Sequence, residues 1–267
     1  MQITFLQAIL LGIVQGLTEF LPVSSSAHLI ISSYFLNGQS LPLTFNVALH
    51  FGTALAVLIY FWRDWFQISK MSYLRVIKNQ SSFESSVLVP CLILGCVPAA
   101  VVGKLFEEPI EKYFHNPLSV TAPLIIVGFL LWWFDKKSLQ TKSIQNMTLK
   151  DSLIIGLAQC LALIPGVSRS GSTIMMGRIL QFDRVSAAKY SFLLGTPIIF
   201  GAALLKSKAI INSGINHSEF VAGIVVSFIS GLIAIKILMV IVQKYSFIWF
   251  ALYRTALALT IIAIYLQ

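Results

Sequence analysis

Long apolar runs separated by short polar breaks dominate this chain. Six runs, at about 43–62, 86–106, 117–134, 187–206, 219–242 and 246–266, are long enough to cross a bilayer, which takes roughly 20 residues. Two further apolar regions, 3–35 and 150–181, are broken in the middle by Pro, Gly and Ser. Each predicts two short helices joined by a loop that enters the membrane and returns on the same side. Non-helical backbone is tolerated at membrane depth only where protein or a water-filled cavity surrounds it, so both loops should face inward. The order is hairpin, three spans, hairpin, three spans. Three spans change sides, so the second hairpin enters from the opposite face. The predicted fold is an all-α integral membrane protein with an inverted-topology repeat, each half one re-entrant helical hairpin plus three transmembrane helices. It forms a single membrane domain over 1–267, with repeat 1 at about 1–135 and repeat 2 at about 145–267.

The two interrupted regions read as copies. Gly12 to Ile30 (GIVQGLTEFLPVSSSAHLI) lies without a gap over Gly156 to Ile174 (GLAQCLALIPGVSRSGSTI). Gly12 meets Gly156, Gln15 meets Gln159, Leu17 meets Leu161, Ser24 meets Ser168, Ser26 meets Ser170 and Ile30 meets Ile174. A second echo pairs Phe51-Gly-Thr53 with Leu194-Gly-Thr196, each in the first span of its half. The copies diverge in chemistry: one keeps Glu19 and His28, the other Arg169.

Composition excludes most soluble classes. Of 267 residues, 57% are hydrophobic and 11% charged, against about 25% charged in soluble domains. The apolar stretch 3–23 has no basic segment before it, so it is expected to belong to the first hairpin and not to a cleavable leader. Cys91, Cys96 and Cys160 sit in apolar surroundings without metal-ligand spacing and read as packing residues. The net charge of +9 points to topology and not to nucleic acid, because it is unevenly placed. Twelve of the 19 Lys and Arg residues fall on one side (Arg63, Lys70, Arg75, Lys78, Lys136, Lys137, Lys142, Lys150, Arg178, Arg184, Lys189, Lys244). Lys104, Lys112, Lys206 and Lys208 fall on the other, beside Glu107, Glu108 and Glu111, while Arg169, Lys236 and Arg254 lie within membrane segments. The basic side is expected to be cytoplasmic, which puts both termini and the mouth of the first hairpin outside.

Several polar residues within the apolar regions could carry chemistry. Glu19 is a carboxylate in a membrane segment, costing on the order of 2.5–3.5 kcal/mol, so it requires a partner, a metal or water. A structural ion pair or a helix cap would also explain it. Gln15, one turn earlier, can converge on the same ligand. Ser24-Ser25-Ser26 with His28 supplies a hydroxyl, an imidazole and a nearby acid, the minimum for an activated nucleophile. Pro22 followed by serines is equally an ordinary helix start, and its free N–H groups suit phosphate. In the second copy Arg169 offers a planar fork for phosphate oxygens, accompanied by Ser168, Ser170, Gly171, Ser172 and Thr173. Its anion is either a phosphoryl group or Glu19. Asn46, His50 and Thr53 share one helical face and could line a cavity, although a histidine satisfied by neighbouring helices is the expected state of His50. Lys236 is expected to snorkel or pair, and Arg254 beside Tyr253 to anchor helices. No Cys/His pattern for zinc is present; an ion held by Glu19 and substrate phosphates would be magnesium or calcium.

QGLTEFLPVSSSAH (Gln15–His28) and PGVSRSGST (Pro165–Thr173) closely resemble the two motifs of the undecaprenyl-diphosphate phosphatase family, the bacitracin-resistance type, and the resemblance spans essentially the whole chain. It implies hydrolysis of undecaprenyl diphosphate to undecaprenyl phosphate and phosphate in the bacterial inner membrane. It also implies recycling of the cell-wall carrier lipid, bacitracin resistance and dependence on a divalent cation. By matching position it implies Glu19, Ser25, His28 and Arg169 as the catalytic set, Glu19 also as metal ligand, and Gln15, Ser24, Ser26, Ser168, Ser170, Gly171 and Thr173 as substrate contacts. Gln15 occupies a Glu/Gln position of the motif and cannot act as a base. The expected partners are the isoprenoid diphosphate and the lipid bilayer, with no nucleic acid; a homodimer is compatible with the pattern. The rival reading is a carrier-lipid flippase, since inverted repeats with midplane loops are also transporter architecture. The acid-phosphatase type of lipid phosphatase is excluded by the absence of its Lys-x6-Arg-Pro and His-x3-Asp elements.

Overall fold

The computed structural model describes residues 3–37, 41–78, 87–113, 116–211 and 217–266. Within them the chain is all-helical: α1 (Phe5–Phe20), α2 (Ser25–Asn37), α3 (Leu43–Tyr60), α4 (Trp62–Lys78), α5 (Leu88–Tyr113), α6 (Thr121–Lys137), α7 (Leu149–Cys160), α8 (Arg169–Ile179), α9 (Arg184–Ile211), α10 (His217–Lys244) and α11 (Ile248–Tyr265). Six helical stretches have the length and apolarity to cross a membrane: Leu43–Tyr60, Leu88–Phe106, Pro117–Lys137, Arg184–Leu205, His217–Lys244 and Ile248–Tyr265. They coincide with the six predicted runs. The side chains of Arg75, Lys78, Glu107, Glu108, Glu111, Lys112, Lys206 and Lys208 lie outside the described set.

The interrupted regions fold as pairs of short helices. α1, α2, α7 and α8 have 16, 13, 12 and 11 residues. At ~1.5 Å per residue none spans a hydrocarbon core of ~30 Å. α1 and α7 open with capping boxes, Thr4 with Gln7 and Thr148 with Asp151, which satisfy N–H groups that the first turn leaves free. α1 stops at Phe20 because Pro22 follows, and the residue before a proline is held extended. The longer partner helices then pack crosswise. α1 lies along α10, and α7 lies along α5. Glycine makes both contacts close: a Cβ at Gly16 would run into the backbone of α10 at Ser227 and Gly231, and one at Gly156 into the backbone at Gly95.

One helix is absent from the predicted set. α4 is amphipathic and polar on average, so its stretch carries no long apolar run. It buries Ile68 and part of Trp65 against the main core, and Asp64 pairs with Lys189 at 2.5 Å. Among the described residues the main apolar core runs from Phe20 and Val23 through Phe192 to Phe250. It lies directly behind the first hairpin loop: Phe20 meets Phe192 edge-on, with ring centroids 5.2 Å apart.

Candidate active site

The two hairpin loops touch, and each is built in the same way. Ser24 and Ser168 both have φ of 74°, a left-handed conformation that costs a non-glycine residue on the order of 1–2 kcal/mol. The Ser24 hydroxyl accepts from Ala27 N at 3.4 Å and lies 3.1 Å from Ser26 Oγ. The Ser168 hydroxyl accepts from Gly171 N at 3.0 Å and lies 3.1 Å from Ser170 Oγ. Each serine thus caps the helix that follows it. The next serines join the loops: Gly166 N donates to Ser26 Oγ at 3.4 Å, and Ser170 Oγ is 3.3 Å from both the Glu19 and Leu21 carbonyls.

The first residues of α2 and α8 are therefore Ser25 and Arg169, and both reach Glu19. Ser25 Oγ donates to Glu19 Oε2 at 2.6 Å, and Arg169 donates to Glu19 Oε1 at 3.0 Å. A second guanidinium nitrogen of Arg169 donates to the Ser191 carbonyl at 3.0 Å. Gly195 makes room for this, since a Cβ there would occupy the guanidinium's place. Gln15 Nε2 adds a third donor to Glu19 Oε2, at 3.1 Å. The carboxylate is 5% exposed as a residue, and three donors offset the cost of burying it. Two helix N-termini converge here, each with free N–H groups and a positive dipole end, an arrangement suited to anions.

The remaining sequence-predicted residues are placed less directly. His28 Nδ1 donates to the Ser24 carbonyl at 2.8 Å, so its Nε2 accepts from the Tyr253 hydroxyl at 2.7 Å. The two rings are nearly parallel, at 2°. Among the described residues no hydrogen bond joins His28 to Ser25 or Glu19; it holds the Ser24 turn instead. Thr173 Oγ1 bonds the Arg169 carbonyl at 2.7 Å and contacts Ser191 Oγ at 2.6 Å. Ser24, Ser168, Ser170 and Thr173 are all buried and use their hydroxyls to fix the loops. Lys236 is exposed.

The chain is similar throughout its length to proteins of one family. The family described as "Bacitracin resistance protein BacA" matches residues 8–260. A protein of Moorella thermoacetica named undecaprenyl-diphosphatase is 42% identical, covering 98% of each chain. Proteins of the same name from Elusimicrobium minutum and Geotalea daltonii are 45% and 44% identical, covering 97% and 96% of this chain and 97% of each of theirs. The chain belongs to the bacitracin resistance protein BacA family. With its six membrane-capable helices it is a multi-pass membrane protein.

Beyond the motifs, this BacA-family fold depends on residues that sequence reading assigned only loosely or overlooked. Arg254 is fully buried and donates to five carbonyls: Leu124 at 2.9 Å, Pro22 at 3.1 Å, Pro123 at 3.2 Å, Gly166 at 2.8 Å and Val167 at 3.1 Å. Pro22 and Gly166 are equivalent positions of the two loops, so one guanidinium ties both tips to α6. The expectation that Arg254 anchors helices is met, though its partners are loop carbonyls as much as helices. Asp135, unremarked in the sequence, is buried between Arg178 at 2.7 Å and Arg184 at 2.8 Å. His50 is satisfied by a neighbouring helix, as expected: its Nδ1 lies 2.9 Å from Gln15 Nε2 and 3.3 Å from Glu19 Oε2, both on α1. The signal for it was present: Asn46, His50 and Thr53 recur on one helical face.

Proposed function

We propose that this protein is an enzyme that hydrolyses undecaprenyl diphosphate to undecaprenyl phosphate and inorganic phosphate, acting at the Glu19–Ser25–Arg169 cluster. The hydrolysis returns the carrier lipid to cell-wall synthesis. Removal of the diphosphate that bacitracin sequesters accounts for the resistance in the family's name. The observation that carries the site assignment is the 2.6 Å hydrogen bond from Ser25 to Glu19, a nucleophile already in contact with its base.

In this reading Ser25 Oγ attacks the terminal phosphorus and its proton passes to Glu19 Oε2. The bridging P–O bond breaks and its electrons leave with the lipid monophosphate. Water then attacks the phosphoserine, Ser25 regains a proton from Glu19, and phosphate departs. Arg169 and the two helix N-termini stabilise charge on the phosphoryl oxygens. His28, pinned between Ser24 and Tyr253, aims the turn that presents Ser25. The isoprenoid tail follows the apolar groove of about 280 Å³ between α1 and α2, lined by Leu10, Val14, Ile31 and Phe35.

The family resemblance also implies a divalent cation. Gln15 Oε1 is buried without a hydrogen-bond partner beside the Glu19 carboxylate, while among the described residues no three His, Cys, Asp or Glu side chains form a cluster. Such a donor set suits an ion shared with substrate phosphates. Glu19 and Gln15 would hold magnesium or calcium, which would neutralise phosphoryl charge.

The architecture we infer is one membrane domain built as an inverted-topology repeat, divided at about 135–145, with both hairpins entering the membrane. Matching caps at Ser24 and Ser168 and the reciprocal packing of α1 on α10 and α7 on α5 support it. We place both termini and the first hairpin mouth outside. The clustering of Arg178 and Arg184 on Asp135, and of Lys189 on Asp64, supports one shared basic end. The test is phosphate release from a long-chain isoprenyl diphosphate by purified protein, with trapping of the intermediate. Stoichiometric phosphate and a phosphoserine at Ser25 are expected. Lipid movement without phosphate release would overturn the reading, and nearly full activity in Ser25→Ala would leave water as the attacking group.

A further inference from the structure

The mechanism above leaves His50 unused, although it lies closer to the reacting carboxylate than His28 does by any bond described. Its contacts engage one ring nitrogen and leave the other. Glu19 Oε2 can only accept, so the Gln15 amide must point Nε2 toward it at 3.1 Å. The same Nε2 lies 2.9 Å from His50 Nδ1, and a proton on Nδ1 would face the amide's own hydrogens. In the neutral ring Nδ1 accepts from the amide and the proton sits on Nε2; with Nδ1 also protonated and paired with Glu19 Oε2 at 3.3 Å, Nε2 is a donor as well. Nδ1 is turned inward onto Gln15 and Glu19, and Nε2 sits on the far side of the ring. The His50 side chain is 27% exposed, against 4% for Glu19 and 15% for Arg169. Among the described residues no hydrogen bond engages Nε2.

We propose that His50 is a substrate-contacting residue whose Nε2–H donates to a phosphoryl oxygen of the diphosphate, opposite the guanidinium of Arg169. The chemistry of the cluster calls for such a donor. A phosphate approaching Ser25 meets the buried negative charge of Glu19, and donors flanking that carboxylate must outweigh the repulsion. Arg169 supplies one flank from α8 and His50 supplies the other from α3. Gln15 is the positioning residue: by donating to Glu19 and His50 at once, it holds the imidazole in the tautomer that offers a proton outward. A ligand oxygen there satisfies a ring donor that no described residue engages.

This inference rests on the phosphatase reading, so the experiment separates the two. Phosphate release from a long-chain isoprenyl diphosphate is measured for the purified full-length wild type, His50→Leu and His50→Gln, together with inhibition by inorganic phosphate. Size-exclusion chromatography checks that each variant is intact. His50→Leu is expected to lower kcat/KM by roughly 10²-fold, the scale of losing one oriented donor, and to weaken inhibition by inorganic phosphate. His50→Gln, which retains an N–H donor, should recover most of both. Activity of His50→Leu within twofold of wild type would overturn the proposal. So would equal losses in both variants with phosphate inhibition unchanged, because that pattern belongs to a packing role. A wild type that releases no phosphate would instead overturn the phosphatase reading beneath it.

Discussion

Ser24 and Ser168 share a φ of 74° and the same cap, yet the residues that follow them are a small neutral hydroxyl and a permanent cation. Ser25 and Arg169 are each the first residue of their helix, and each reaches one oxygen of Glu19. Glu19 itself has Leu163 as its counterpart in the second copy. The shared residues build backbone: caps at Ser24 and Ser168, cross-loop bonds at Ser26 and Ser170. The unshared ones bring a hydroxyl and a guanidinium onto one carboxylate. A duplicated loop can thus keep its shape twice while its two first-turn positions differ in chemistry.

The comparison can be broken at its unshared positions first. Glu19→Gln and Ser25→Ala should each lower phosphate release by about 10³-fold, the middle of the range for a positioned acid–base group, because one removes the proton acceptor and the other the hydroxyl that the 2.6 Å hydrogen bond joins. Steady-state rates on monodisperse protein check this. Arg169→Lys should cost about 10²-fold despite keeping its charge, since a lysine cannot hold the Ser191 carbonyl and Glu19 together.

These positions were legible in the sequence because loop chemistry is local. Pro22 and Pro165 end helices, serines cap the next ones, and an uncompensated charge between them stands out against apolar flanks. What escaped is what distance hides. Arg254 bonds five carbonyls, and a carbonyl belongs to every residue, so no pattern marks its partners. His50 meets Gln15 across 35 residues, and only the fold brings their helices together. α4 was missed because its stretch has no long apolar run, although it buries Ile68 through its amphipathic face.

Smaller effects sharpen the comparison. Gly195→Ala should push the Arg169 guanidinium aside and reduce activity roughly tenfold by misplacing it; kinetics beside a thermal melt separate this from unfolding. Ser24→Ala and Ser168→Ala should each destabilise the protein by about 1 kcal/mol, the usual worth of a helix cap, and by similar amounts because their geometry matches. Glycine at either position should be nearly neutral, as it loses the cap but relieves the positive φ. Melting temperatures of the four variants in one detergent give the answer, and a large asymmetry between loops would break the equivalence of their backbones.

The central claim is that Glu19 and Arg169, from opposite loops, act as one unit on one phosphoryl group. A double-mutant cycle in phosphate release, with Glu19→Gln, Arg169→Gln and the pair, tests it most directly. The account predicts that the double variant is about as slow as the slower single one. Losses that simply multiply would mean that the two residues work apart, and would contradict it.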